Sequence, residues 1–182
     1  MQKNLLKHAA LQAVANNPSS MQIINLSVEH WPSVKTIYES GIATRNATFQ
    51  STAPEWEEWD KGHVSSCRLV AIEKDQILGW AALSAVSGRC VYAGVAEVSV
   101  YVHPDARGKG VGHQLLQALI QDSEKNGFWT LQAGIFPENT SSIRIHEKNG
   151  FRMIGRREKI GQMDGKWRDT LLLERRSSTI GV

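Results

Sequence analysis

The spacing of apolar and polar residues predicts alternating strands and helices. Ile23-Ile24-Asn25-Leu26 reads as a short strand. His30-Trp31-Pro32-Ser33 opens a helix, with Pro32 in the first turn, where its missing N–H costs little. Trp31, Val34, Ile37, Tyr38 and Ile42 recur at helical spacing and form an apolar face, which Gly41 is expected to weaken or end. Residues 45–50 are a polar loop, and Ser51 to Lys61 read as a second short helix with Trp56 and Trp59 three apart. Arg68–Glu73 and Ile77–Leu83 are strands joined by the tight turn Lys74-Asp75-Gln76, hence an antiparallel hairpin. A looser connection at Ser87-Gly88-Arg89 leads to the longer strand 94–102.

From about Gly110 to Asn126 the pattern is helical again. Val111, Leu115, Leu116, Leu119 and Ile120 lie on one face, and Gln114, Gln117, Gln121, Glu124 and Lys125 on the other. Asn126-Gly127 closes the helix. Trp129–Ile135 is a strand, Asn139–Lys148 a helix stopped by Asn149-Gly150, and Phe151–Lys159 a strand. Asp164-Gly165 is a hairpin turn before the last strand, Trp167–Glu174.

This order predicts an α/β domain: a mixed sheet with helices on both faces. The domain is expected over residues 22–175, after an N-terminal extension, 1–21, and before a polar tail, 176–182. The extension can hold a short helix over Leu5–Val14. Its apolar run is weak and broken by His8 and Gln12, unlike a secretory signal.

Composition narrows the class. The 182 residues suffice for a real core, and 41% hydrophobic with 21% charged residues is ordinary for a soluble globular domain. No apolar run approaches the roughly 20 residues of a membrane helix. Cys67 and Cys90 lack metal-ligand spacing, so a reduced, cytoplasmic protein without a metal is expected. The net charge of +3 is mildly basic and suits an anionic ligand. Lys and Arg are scattered, which points away from nucleic acid.

The candidate chemistry lies in Glu97–Leu119, where strand, glycine-rich turn and helix follow one another. Such a turn, Arg107-Gly108-Lys109-Gly110-Val111-Gly112, can curl backbone N–H groups around a phosphate at a helix N-terminus. It can equally be a plain surface loop, and the Walker pattern GxxxxGK[ST] is absent. On the strand, Ala96, Val98, Val100 and Val102 share an apolar face; Val95, Glu97, Ser99 and Tyr101 share the other. A carboxylate in a central strand needs a partner or a cleft, and burial would suit it as a base. Glu97 to Val102 spans about 17 Å at about 3.3 Å per residue, comparable to an extended pantetheine arm.

Arg107–Gly112 matches the R/Q-x-x-G-x-G/A signature, and in this the chain resembles the GNAT acetyltransferases. The string AEVSVYVHPDARGKGVG, with Asn139 and IRIHEKNGF (143–151) downstream, looks like the branch of phosphinothricin and methionine sulfone/sulfoximine acetyltransferases. The likeness runs from about Ile24 to Glu174 and includes Ala47-Thr48-Phe49 and DGKWRD (164–169). It implies a GNAT fold, a mixed and mostly antiparallel central sheet whose strands splay beside the glycine turn, and acetyl-CoA as co-substrate. Backbone groups of Val100, Tyr101 and Val102 would hold the pantetheine, and Arg107, Gly108, Lys109, Gly110, Val111, Gly112 and His113 the pyrophosphate.

Asn139 matches a position near the pantetheine and is also a good helix N-cap. Glu97 matches the general base that takes a proton from the acceptor amine. His146 stands where many GNAT enzymes carry a Tyr that protonates the departing thiolate; a packed helix residue is the competing reading. Thr44, Thr48 and Phe49 fall in the substrate loop, and Trp80, Tyr92 and Trp167 are candidate pocket walls, although core packing also explains such aromatics. The resemblance implies N-acetylation of a small amino-acid-like amine by a homodimer. Alternatives are a protein or peptide acceptor, or a non-catalytic acetyl-CoA-binding module.

Overall fold

The computed structural model describes residues 20–182, so the helix expected over Leu5–Val14 lies outside the described residues. In chain order the elements are β1 (Gln22–Asn25), α1 (Trp31–Ala43), α2 (Trp56–Gly62), β2 (Arg68–Glu73), β3 (Gln76–Ala85), β4 (Val95–Val102), α3 (Val111–Lys125), β5 (Thr130–Ile135), α4 (Thr140–Lys148), β6 (Arg152–Met163) and β7 (Lys166–Arg176). The strands form one sheet in the order β1-β2-β3-β4-β5-β7-β6. Both expected hairpin turns have two residues at positive φ, Lys74 and Asp75 in one, Asp164 and Gly165 in the other. That geometry follows the natural twist of paired strands.

Alternation along the central strands builds two cores. Ala81, Leu83, Ala96, Val98, Leu131 and Ala133 face α3, whose Leu115, Leu116 and Leu119 are fully buried. Val70, Trp80 and Ala82 face the other way, against Trp31, Val34 and Ile37 of α1 and Trp59 of α2. Helices therefore cover both faces, as the pattern predicts.

All pairings are antiparallel except β4 with β5. That parallel pairing covers only Val95–Glu97 against Thr130–Gln132. Beyond Glu97 the strands part: β4 continues to Val102 and β5 to Ile135 without pairing to each other. This splay fixes where a ligand can enter the sheet.

Several boundaries differ from the sequence expectation. α2 begins at Trp56 rather than Ser51, because Pro54 disfavours helical geometry at the residue before it and Glu55 is extended at the N-cap. Gly41 does not end α1. The ring of Tyr101 lies on it, and a Cβ there would come within 2.6 Å of Tyr101 Cδ1. β7 continues past Glu174 to Arg176, and Ser177 N–H then donates to Trp129 O at 2.8 Å. The start of the tail is thus tied to the residue that precedes β5.

Candidate active site

A cleft of about 1270 Å³ opens where β4 and β5 part. Residues 97–102 of β4 and 133–135 of β5 form its sides. Arg107, Gly108, Gly110, Val111, Gly112 and His113 close one end, Asn139, Ser142 and His146 contribute from α4, and Thr44, Thr48 and Phe49 come from the loop after α1.

The turn offers backbone donors at a helix start. Gly108 and Gly110 have φ of 76° and 81°, and Gly110 is the N-cap of α3. The first intrahelical bond runs from Gln114 N–H to Gly110 O at 3.1 Å. The N–H groups of Val111, Gly112 and His113 precede it and are the orphan donors of a helix start, at the positive end of its dipole. A Cβ at Gly112 would stand 3.3 Å from both Ile145 Cδ1 and Val102 Cγ2, so glycine lets this helix end press against β4 and α4. Asn149 Nδ2 lies 2.8 Å from His113 Nδ1 and donates to Ile145 O at 2.7 Å. With Asn149 Nδ2–H directed to Ile145 O and toward Nδ1, His113 is held at the mouth of the cleft beside the turn. Lys109 differs from its expectation: it is exposed and does not line the cleft, because the turn between two left-handed glycines carries it to the outside.

Glu97 stands where the paired part of β4 ends, on the face of Ser99 and Tyr101. Its cross-strand neighbours, Ser84 on β3 and Gln132 on β5, are uncharged. Burial pushes its carboxyl above the usual range, opposed by the Arg157 guanidinium. It lines the cleft and has no ion pair among the described residues.

His146 is buried at 3% exposure. Its Nδ1 lies 2.8 Å from the Ser142 carbonyl, so Nδ1–H donates there. Nε2 then keeps its lone pair, and it has no hydrogen-bond partner among the described residues. Burial pulls the imidazole below its ordinary range and keeps it neutral. Such a histidine accepts a proton before it can give one. Asn139 caps α4 through Oδ1, which accepts from Ser142 N–H at 3.2 Å, and its Nδ2 donates to Asn46 O at 3.1 Å. It thus ties the 44–50 loop to the start of α4.

That loop is held from several directions. Arg168 donates to Arg45 O at 2.9 Å and pairs with Glu138 at 3.0 Å, while its guanidinium covers Phe136. Phe49 meets Phe136 edge-on at 4.8 Å and lies over Gly161, where a Cβ would come within 2.8 Å of its ring. Thr48 approaches the hydroxyls of Tyr38 and Tyr101. Thr44, Thr48 and Phe49 thus line the cleft from this loop.

Three expected wall residues do not. Trp80 is 1% exposed and stacks on Tyr101 at 4.8 Å inside the α1-side core. It faces inward by the same alternation that turns Ala81 to the other side. Tyr92 lies in a 3-10 turn before β4, exposed and beside Arg89, and Trp167 is exposed near the β6–β7 turn. Neither lines the cleft. The sequence reading missed Tyr38, counted only as core, and Arg157 and Arg168. Arg168 lay inside the DGKWRD string; Arg157 carried no signal, because a register shift after it breaks the alternation of β6.

Comparison with known proteins bears on this geometry. The acetyltransferase (GNAT) family profile matches residues 28–151. YwnH of Bacillus subtilis, whose phosphinothricin acetyltransferase name is provisional, is 37% identical over 80% of this chain and 92% of its own. The L-methionine sulfoximine/L-methionine sulfone acetyltransferase of Pseudomonas paraeruginosa is 29% identical over 85% of this chain and 94% of its own. A crystal structure of a GNAT superfamily phosphinothricin acetyltransferase from Sinorhizobium meliloti in complex with AcCoA is similar with a TM-score of 0.79. It is 28% identical and covers 88% of this chain and 90% of its own.

Proposed function

Because the chain belongs to the acetyltransferase (GNAT) family, we propose that its cleft brings acetyl-CoA and a free amino-acid amine together for direct transfer in a ternary complex. The chain is an acetyl-CoA-dependent N-acetyltransferase acting on a small amino-acid-like acceptor. The observation that carries the finer reading is the splay. The edge of β4 that is not paired to β5 runs from Glu97 toward the glycine turn, a length that suits a pantetheine arm.

In this reading the N–H groups of Val111, Gly112 and His113 bind the pyrophosphate, with Arg107 adding charge. Backbone groups of Val100 and Val102 hold the pantetheine amides. Glu97 takes one proton from the acceptor ammonium, directly or through a water, and frees the lone pair that attacks the thioester carbonyl. The nitrogen must lose a second proton as the amide forms, and the departing thiolate must gain one. His146 Nε2, a neutral acceptor held by its Nδ1–H bond, receives that proton and returns it to sulfur.

Two measurements test this. Thiol release is followed with panels of free amino-acid analogues, methionine sulfone and phosphinothricin among them, and of short peptides; activity confined to peptides would overturn the acceptor. His146→Gln keeps a buried polar side chain but lacks the basic nitrogen. It is expected to lower kcat by about 10- to 100-fold with the KM for acetyl-CoA little changed; unchanged kcat would leave His146 a packing residue.

The enzyme is further proposed to act in the cytoplasm as a homodimer. Exposed Val91, Tyr92, Ile154, Ile160 and Trp167 supply apolar surface that supports association. A monomer by light scattering at assay concentrations would remove the dimer.

A further inference from the structure

β6 carries three arginines whose surroundings differ. Arg152 pairs with Glu174 at 3.0 Å and Arg156 with Asp169 at 2.5 Å. Arg157 has no ion pair among the described residues. Its Nε donates to the buried Thr170 hydroxyl at 3.2 Å, which leaves the outer edge of the guanidinium unspent.

The direction of that edge is informative. Arg157 Nη2 lies 2.8 Å from the point where a side chain at Gly134 would place its Cβ, and Glu97 Oε1 lies 4.0 Å from the same point. Glu97 and Gly134 both line the cleft. The cation and the carboxylate therefore flank one small space over a glycine that has no side chain to fill it. The neighbouring side chains on this face, Ser84, Ser99 and Gln132, are uncharged, and Glu174 is engaged by Arg152.

A free α-amino acid matches this arrangement. Its ammonium and carboxylate sit on one carbon, opposite in sign and a few ångströms apart. With the ammonium at Glu97, as the proton transfer requires, the carboxylate falls on the Arg157 side. Its planar fork suits a carboxylate better than a point charge would. We infer that Arg157 is the carboxylate-binding residue of the acceptor site, so that the enzyme reads a free amino acid by both of its charges. This rests on the N-acetyltransferase reading above and narrows its substrate class to acceptors with a free α-carboxylate.

The test compares L-methionine sulfone with its α-carboxamide as acceptors for the purified full chain. The carboxamide amine is less basic, so the reading is the change in the acid-to-amide ratio of kcat/KM between variants. Arg157→Met is expected to reduce that ratio by about 10- to 100-fold, mostly through the KM of the acid, while any change it makes at Glu97 falls on both acceptors and cancels in the ratio. Arg157→Lys should fall between. An unchanged ratio in Arg157→Met overturns the proposal. So does an unchanged ratio with a displaced acid limb of the pH profile, which would make Arg157 a residue that only tunes Glu97.

If Arg157→Met is inactive on both acceptors, Thr170→Val decides. Loss of the Nε anchor should lower kcat/KM for the acid alone, and equal losses on both acceptors overturn the proposal. Wild-type activity on peptides or simple amines, with none on any amino acid, would overturn the acceptor reading and this inference together. Wild-type activity on acid and amide with no response of their ratio to either variant would overturn this inference alone.

Discussion

Replacing Glu97 with glutamine is expected to lower kcat by about 10²- to 10⁴-fold at neutral pH while acetyl-CoA still binds with near wild-type affinity. The side chains are isosteric, and the cofactor contacts proposed above lie on the other part of β4 and on the turn. Only the capacity to take a proton is lost. Thiol-release kinetics and calorimetric titration with acetyl-CoA measure the two halves separately; a variant that keeps near-normal turnover at neutral pH removes Glu97 as the base.

The wild-type pH profile follows from the same burial. The carboxyl is pushed above its usual range, so kcat/KM should rise with pH along a limb placed above an ordinary glutamate, and Glu97→Gln should lack that limb. Stability has the opposite sign. A carboxyl with a raised folded-state value stabilises the fold below the unfolded value and loses that contribution as pH rises through the folded one. At neutral pH the charged form is therefore a liability, and Glu97→Gln should melt higher than wild type. The difference should close below about pH 4, where both states are protonated. A variant less active but more stable is the mark of a group kept for chemistry.

Local signals made most of the fold legible. Alternation identified the two faces of β4, and both cores follow it. Lys74-Asp75 and Asp164-Gly165 announced their turns because a two-residue hairpin demands residues that tolerate positive φ. What failed depended on distance or on direction. Trp80 reads like any aromatic on a half-buried strand, and only the placement of α1 against β3 turns it into core. Arg157 becomes significant because β7 lies between β5 and β6, which sets its guanidinium over Gly134 and near Glu97. The chain separation of those residues hides the relation. His146 was legible as a position but not as a chemical state: its carbonyl partner, four residues away on the same helix, decides which nitrogen holds the proton.

Gly110→Val is expected to raise the KM for acetyl-CoA by about 30-fold, whereas Gly110→Asn should stay within about 3-fold of wild type. The contrast separates backbone geometry from bulk. Gly110 has φ 81° and ψ 0° at the N-cap of α3, with only the end of Gln114, 3.8 Å away, near an added Cβ. Steric exclusion therefore gives neither substitution much cost. The left-handed conformation costs an L-residue about 1–2 kcal/mol, asparagine less and a β-branched residue more. Valine would relieve that strain by rotating the turn, which swings the N–H groups of Val111, Gly112 and His113 away from a common point. The loss should fall on acetyl-CoA and leave the KM of the acceptor nearly unchanged, because Glu97 and the 44–50 loop are anchored elsewhere. Equal effects of valine and asparagine would refute the conformational argument. A loss confined to the acceptor would move the pyrophosphate away from this turn.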